Sequence, residues 1–443
     1  MYRRFKSPLT AQLEITSRCN HKCIHCYNYW RSENSDETTL TEDRLIKIIE
    51  NFRDGEVMQM VITGGEPMIY SNLLVKGLEL AKDFGIRCSI NSNLTLVTSK
   101  IAQAIKRNNS GILTSMLSFD PDKHDSLTNS KGSHARLLRG IEVLQDANVS
   151  VGVNMVVMKQ NLSDVYETGR FVSSIGVKSF TSTKVCPSLG DDIFERLRIT
   201  KNDNLLIFDQ LLRLKNELGM NVDTLTAYPS CLSQDWNKYR SFLLGRSCSA
   251  GKTFCAVGSN GQLRACVQHN EEYGDVVSEP ITSIWKKMDK WRDGSLLPDK
   301  CKECQYLSVC GAGCRATCQF FGDIKSLDPD VDDDCDFKPI VGDKNEIELV
   351  DKKLRLMINP LLRLREENFG TVLTTGKSKI TVVTNDSAYL LRNLIEKGVF
   401  TFNEVFSEYS LDATAHKFLS MLYNKGIFIK ADDTKDDGII IPF

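Results

Sequence analysis

Between residue 9 and about residue 185 the chain alternates strand-like and helical runs, and this alternation constrains its fold more than any other feature. Strand-like runs fall at 9–16, 58–63, 86–93, 112–119, 150–157 and 177–185. Amphipathic helical stretches at 42–52, 73–84, 100–107, 135–146 and 163–175 separate them. Strands with a single helix between them pair in parallel through right-handed crossovers, and groups that do chemistry are then expected at the carboxyl ends of the strands.

The first strand leads into Ser17-Arg18-Cys19-Asn20-His21-Lys22-Cys23-Ile24-His25-Cys26-Tyr27. Three thiolates at this C-x3-C-x2-C spacing, Cys19, Cys23 and Cys26, hold three irons of a 4Fe-4S cubane and leave the fourth open to a ligand that is not protein. The competing use is a zinc knuckle with His21 or His25 as fourth ligand. The second strand ends in Thr63-Gly64-Gly65-Glu66-Pro67. Glycines there let the backbone approach a ligand closely, and Glu66 offers a charge for an ammonium group. Alone, such a run is most often a turn opening a helix; behind the cysteine triad it marks a ligand site.

Together the triad and the Gly-Gly-Glu-Pro run resemble the signature of the radical S-adenosylmethionine (SAM) enzymes. The resemblance implies a partial (β/α)6 barrel over the six repeats, with SAM chelated at the open iron through its amine and carboxylate. It implies a reduced cluster that breaks the sulfonium C–S bond to give a 5'-deoxyadenosyl radical, while the protein supplies positioning and electron input. By the same resemblance Tyr27 packs near the adenine and Gly64, Gly65 and Glu66 receive the SAM amine. Asn93, in Asn91-Ser92-Asn93, and Ser118 and Asp120, in Ser118-Phe119-Asp120, line the ribose and carboxylate, although all three residue types are also ordinary turn formers. The family often follows the fourth strand with an Arg for the SAM carboxylate; Thr128 or Asn129 stands near that place here, with Arg136 and Arg139 as substitutes. His25 occupies a slot that is frequently aromatic and is read as a packing and hydrogen-bonding residue. Cys186, ending the sixth strand, is either a catalytic thiol facing substrate or a compact buried side chain. Cys88 and Cys231 have no partner spacing and read as structural.

Nine cysteines lie between Cys248 and Cys335. Seven of them follow C-x12-G-x4-C, then C-x2-C-x5-C-x3-C, then a last cysteine: Cys248, Cys266, Cys301, Cys304, Cys310, Cys314 and Cys335, with Gly261 between the first two. This resembles the SPASM extension of radical SAM enzymes, which holds two auxiliary 4Fe-4S clusters. The implied ligand sets are Cys248, Cys266 and Cys314 with Cys255 as the fourth, and Cys301, Cys304, Cys310 and Cys335. Should Cys255 not ligate, the first auxiliary cluster keeps an open iron for a substrate thiolate. Cys318 is then a spare, a replacement ligand or a substrate-facing thiol. A zinc ribbon competes for C-x2-C with C-x3-C, but it uses four cysteines and not eight. In sulfatase-maturing members an Asp base follows the third cysteine of the first auxiliary set; Val267 follows Cys266 here, which disfavours that activity.

A chain of 443 residues suggests two or three domains. The expected boundaries are 1–230 for the barrel, 231–340 for the auxiliary-cluster extension and 341–443 for a carboxy-terminal domain. That last stretch combines strands at 370–373 and 380–383 around Gly376, helices at 387–397, 402–409 and 413–425, and a final strand at 426–429. This plan, a small winged-helix-like α+β domain, resembles the PqqD-like domain that recognises precursor peptides, in which an extended leader adds a strand to a sheet edge. A DNA-binding winged helix is the rival, but the stretch at 413–425 offers only His416, Lys417 and Lys425 to phosphates. A purely structural cap on the barrel is a third possibility.

Lys and Arg number 56 against 57 Asp and Glu, so no global charge draws the chain to nucleic acid or anionic membrane. With no long apolar run and no signal core the chain reads as soluble and cytosolic, where clustered cysteines are metal ligands rather than disulfides. The expectation is a peptide-modifying radical SAM/SPASM oxidoreductase with three 4Fe-4S clusters, SAM and an external one-electron reductant. It would abstract a hydrogen from a ribosomally made precursor peptide and form a thioether or carbon–carbon crosslink. The alternatives are a small-molecule oxidoreductase acting on a tetrapyrrole and an iron–sulfur regulator with a DNA-binding winged helix. Intact Gly64, Gly65 and Glu66 argue against the regulator.

Overall fold

Strands β1 (Thr10–Glu14), β2 (Gln59–Thr63), β3 (Arg87–Asn91), β4 (Gly111–Ser115), β5 (Val151–Val157) and β6 (Ser179–Lys184) lie side by side in chain order and pair in parallel. They are seen in a computed structural model that describes residues 3–28, 37–187, 193–244, 246–331, 347–375 and 380–432. Between the strands run α1 (Glu42–Asp54), α2 (Ser71–Asp83), α3 (Ser99–Arg107), α4 (Pro121–Thr128), α5 (Ser133–Asp146) and α6 (Val165–Ser174). The alternation in the sequence is thus the α/β fold of a partial (β/α)6 barrel. Only α4 departs from the periodicity, because it buries little more than His124, Leu127 and Thr128 and has no apolar stripe to announce it.

Local chemistry explains the elements. The Thr41 hydroxyl accepts the Arg44 N–H and starts α1, which buries Leu45, Ile48, Ile49 and Phe52 at helical spacing. In the strands, alternate side chains meet opposite faces. Ala11, Leu13, Met60, Ile62, Cys88, Ile90, Val153 and Met155 join the core beneath the helices. The other face therefore receives Gln12, Glu14, Asn91 and Asn154, and it is polar. On that face the hydroxyls of Thr181 and Thr183 donate to Asn154 Oδ1 at 3.0 and 2.7 Å.

The sheet continues past both ends of the barrel. Strand β7 (Asn221–Asp223) pairs with β6, while β8 (Phe254–Val257) joins the outer edge of β1 in parallel, setting Ala11 opposite Cys255. Strands β9 (Gln262–Arg264) and β10 (Glu272–Asp275) follow antiparallel, giving the order β10-β9-β8-β1-β2-β3-β4-β5-β6-β7. The cysteine-rich segment is therefore grown onto the barrel sheet, inside one compact unit, Met1–Val341.

The second unit is Gly342–Phe443. Strands β11 (Leu356–Ile358), β15 (Val399–Phe400) and β16 (Phe428–Lys430) form one small antiparallel sheet, and β12 (Arg363–Glu367), β13 (Gly370–Thr374) and β14 (Thr381–Val383) another. Helices Asn385–Lys397, Phe402–Tyr409 and Ala413–Asn424 cover a core that includes Leu356, Leu391, Phe400, Phe402, Leu422 and Phe428. Gly376 lies outside the described residues. Among the described residues no helix is long and apolar enough to cross a membrane.

Candidate active site

Cys19, Cys23 and Cys26 share one partly exposed loop directly after β1. The loop is held from two sides by backbone hydrogen bonds. Gly65 N–H donates to the Thr16 carbonyl at 2.7 Å and Glu66 N–H to that of Arg18 at 2.8 Å, fixing its start. Lys22 and Ile24 donate to the carbonyls of Thr128 and Leu127 at 3.2 and 3.1 Å, fixing its middle against the end of α4. The two glycines make the first contact possible. A Cβ on Gly64 would lie 2.3 Å from the Thr16 carbonyl oxygen, and one on Gly65 2.1 Å from that of Arg18. The close approach expected for a ligand is made here by the cysteine loop itself.

Several residues expected at SAM also bond the protein. The Glu66 carboxylate is fully buried and accepts from Met68 N–H, Ser92 Oγ and Asn93 N–H at 2.9, 2.8 and 2.8 Å. Burial raises its pKa against the pull of these donors. Ser118 donates to Asp164 at 2.8 Å, and Asp120 caps α4 by accepting from Lys123 N–H. Both do the turn chemistry that competed with a ligand role. The buried Thr128 hydroxyl bonds the His124 carbonyl and Ser133, Asn129 is the left-handed cap of α4, and Arg136 reaches Lys131 O and Ser130. Arg139 lies exposed on α5. Asn93 stays at the triad: its amide donates to Asn20 Oδ1 at 2.8 Å, and Asn20 donates in turn to Thr95.

The polar face beside the triad carries atoms that sequence reading missed. Among the described residues Glu14 Oε1, Asn28 Oδ1 and Asn91 Oδ1 are buried without a hydrogen-bond partner, an arrangement that costs free energy unless a polar group completes it. Glu14 pairs through its other oxygen with Arg264 at 2.5 Å, both side chains at most 3% exposed. Burial outweighs that partner and pushes the Glu14 pKa up to about 7. Tyr27 hydrogen-bonds Gln12 and is surrounded by Glu14, Cys26 and Cys266; burial first, then these neighbours, raise its pKa. It sits between two thiol groups. His25 has its Nδ1 buried without a partner among the described residues, and burial lowers its pKa to about 4. A small cleft is lined by Ile24, His25, Cys26, Val185, Cys186 and Phe194.

Beyond Tyr27 the remaining cysteines sort into groups. Burial, followed by the neighbouring thiols of Cys248, Cys314 and Cys186, pushes the Cys266 thiol up to about 12. Cys301 is raised to about 11 by burial and by Cys310 and Cys304. Between the groups lies Lys252, whose pKa burial lowers even though Cys248 and Cys310 flank it. Cys255 does not take the place expected of it. It faces the helix side of β8 within the apolar core, 0% exposed, and burial alone raises its pKa. Strand alternation puts it on the wrong face of the sheet. Cys88 lies in the same core, Cys318 donates to the Leu327 carbonyl at 3.6 Å, and Cys335 lies outside the described residues.

These residues fit the groups implied. Three thiols on one rim loop, oxygens lacking partners beside them and a second set of gathered thiols are the donors that iron–sulfur clusters and a polar cofactor need. Among the described residues no three Cys, His, Asp or Glu side chains converge on a point that would hold a single metal ion.

Residues 13–172 match the family model described as "Radical SAM superfamily". Among curated proteins, the AdoMet-dependent heme synthase of Nitratidesulfovibrio vulgaris is 26% identical over 350 residues, 74% of this chain and 91% of that protein. The antilisterial bacteriocin subtilosin biosynthesis protein AlbA of Bacillus subtilis is 30% identical over 181 residues, 40% of this chain and 39% of AlbA. The crystal structure of Streptococcus suis SuiB bound to precursor peptide SuiA superposes with a TM-score of 0.61 at 15% identity, covering 73% of this chain and 75% of SuiB. At that identity the likeness is one of fold. The chain carries a radical SAM domain, on the α/β fold that SuiB also has.

Proposed function

We propose that this radical SAM enzyme modifies a peptide, taking a hydrogen atom from a ribosomally made precursor and forming a thioether or carbon–carbon crosslink. When bound, the triad cluster and SAM supply the radical that removes the hydrogen atom. The chain's own part is positional. Gly64 and Gly65 seat the triad loop on the end of β2, Glu66 ties that end to β3, and the oxygens of Asn28, Asn91 and Glu14 would be available to a polar cofactor. Cys248, Cys266 and Cys314, with Cys301, Cys304, Cys310 and Cys335, would hold auxiliary clusters, which would supply one-electron transfer when bound.

The observation that carries the peptide reading is the second unit, Gly342–Phe443, with its own core and a sheet whose outer strands β12 and β14 each pair only with β13 among the described residues. An unpaired strand edge is where an extended leader peptide adds a strand, as in the PqqD-like plan. A DNA-binding use is less well served. His416 is spent on the Val350 carbonyl at 2.8 Å and Lys425 on Thr381, which leaves Lys417 as the basic side chain of that stretch.

A second reading has a specific observation behind it: the heme synthase match covers 91% of that relative, whereas AlbA is matched over 39%. Yet about a quarter of this chain lies outside the heme synthase match, room for a unit that a tetrapyrrole reaction does not require. One experiment separates them. Anaerobically reconstituted enzyme with SAM and a one-electron reductant is offered peptides encoded by short neighbouring reading frames and, separately, iron coproporphyrin. Peptide-dependent 5'-deoxyadenosine with loss of two hydrogens from the peptide supports the proposal; decarboxylation of the tetrapyrrole with no peptide product overturns it.

A further inference from the structure

With Cys255 turned into the core, the first auxiliary set is left with three cysteines, Cys248, Cys266 and Cys314. We infer that Cys186, two residues beyond the end of β6, is the fourth ligand of that auxiliary cluster. This rests on the auxiliary-cluster reading above and names the residue that completes it.

Three observations place Cys186 there. First, one carboxamide reaches both thiols: Gln268 Oε1 lies 4.0 Å from Cys314 Sγ, and the same side chain hydrogen-bonds Cys186. Second, a buried ion network fastens the end of β6 to the Cys314 loop. Lys184, two residues before Cys186, lies 2.5 Å from Asp330 and 3.9 Å from Asp328, and Asp328 accepts the Cys314 N–H at 3.0 Å. The side chains of Lys184, Asp328 and Asp330 are no more than 9% exposed. Gly313 permits this contact, since a Cβ there would lie 2.4 Å from an Asp328 oxygen. A charged network sealed in the interior is costly unless it holds a defined geometry, and the geometry it holds brings strand β6 to Cys314. Third, Cys186 is 9% exposed and its Sγ lies 3.5 Å from the Lys184 carbonyl, so the thiol is directed by its own strand end and not swinging in solvent.

Cys318 is the competing thiol. It lies one helical turn beyond Cys314, buried, with its sulfur on the Leu327 carbonyl at 3.6 Å. Cys318 also lies near Cys314, Asp328 and Lys184, but of the two thiols it is Cys186 that shares the Gln268 carboxamide with Cys314.

Ligation releases the Cys186 proton and binds the thiolate to iron without a change of oxidation state. It closes the first auxiliary cluster, so no open iron remains there for a substrate thiolate.

The test uses the full chain with Cys19, Cys23 and Cys26 all changed to Ala, so that iron bound after anaerobic reconstitution belongs to the auxiliary sites, about eight atoms if both are cubanes. Into this background go Cys186→Ala, Cys186→Ser, Cys255→Ala and Cys318→Ala, with iron content, EPR and Mössbauer spectra as readouts. Ligation predicts that Cys186→Ala loses up to half the iron or yields a three-iron EPR signal on mild oxidation. The near-isosteric Cys186→Ser should keep the iron but change the spectrum of one cluster, and the other two variants should match the parent. Parent-like spectra and iron in both Cys186 variants would overturn the inference while leaving the auxiliary clusters standing. A changed spectrum only in Cys255→Ala or Cys318→Ala overturns it as well. A background protein that binds no iron removes the auxiliary-cluster reading itself, a result distinct from the others.

Discussion

Replacing Gly65 with Ala tests how the triad loop is held. The new Cβ would lie 2.1 Å from the Arg18 carbonyl oxygen, 2.4 Å from its carbon and 2.7 Å from the Ser17 oxygen, all backbone atoms that no rotamer change can clear. Such contacts need more than about 3 Å, so residues 17 and 18 must retreat by about 1 Å. The retreat breaks the Gly65-to-Thr16 and Glu66-to-Arg18 hydrogen bonds, now 2.7 and 2.8 Å long, each worth about 1 kcal/mol. The expected loss is about 2–3 kcal/mol in denaturant-unfolding free energy. Because Cys19 follows Arg18 directly, the same displacement moves the first thiol, and a misplacement of about 1 Å costs on the order of 100-fold in rate. The measurements are iron bound after reconstitution and the rate of 5'-deoxyadenosine formation. Gly85→Ala is the control: its φ is +68° and a Cβ there meets nothing within 4 Å, so it bears only the left-handed strain of about 1–2 kcal/mol. Wild-type iron content and rate in Gly65→Ala would refute the idea that this backbone contact positions the triad.

Lys184→Met leaves Asp328 and Asp330 buried without their cation and should destabilise the protein by about 3–5 kcal/mol in urea unfolding; an added Asp330→Asn should recover part of it. In the wild type, burial works to deprotonate Lys184 but Asp328 and Asp330 overcome it and raise its pKa, so the ammonium persists. Glu14 behaves in the opposite sense to a surface carboxylate: its pKa rises from 4.5 to about 7, so the folded state holds the proton more tightly than the unfolded chain. Wild-type stability should fall by about 3 kcal/mol as pH rises from 4.5 to 7, while Glu14→Gln, which resembles the protonated form, should lack that fall; parallel pH profiles would contradict it. Cys23→Ala should abolish 5'-deoxyadenosine formation, and any residual SAM cleavage above background would remove Cys23 from the site.

What could be read without coordinates was what repeats or clusters locally. Six strands and their helices follow from periodicity, and the three thiols at 19, 23 and 26 share one loop because so few residues separate them. Local motif reading also named Glu66, Ser118 and Asp120, but for ligand contacts. Their polar side chains also satisfy N–H groups at strand ends and helix starts, contacts that form only when the neighbouring strand end arrives to be bonded. Ala413–Asn424 shows the same limit, since His416 faces the Val350 carbonyl for a reason lying 66 residues away.

The sequence by itself determined the radical SAM barrel and the number of thiols available, because both depend on spacing along the chain. Which thiols stand together was decided by the tertiary structure. Pairing of β8 with β1 turned Cys255 to the helix side, a matter of strand parity set by register with a strand some 240 residues away. Burial of Lys184 with Asp328 and Asp330 brought Cys186 to Cys314, 128 residues apart, through a contact that no local pattern encodes.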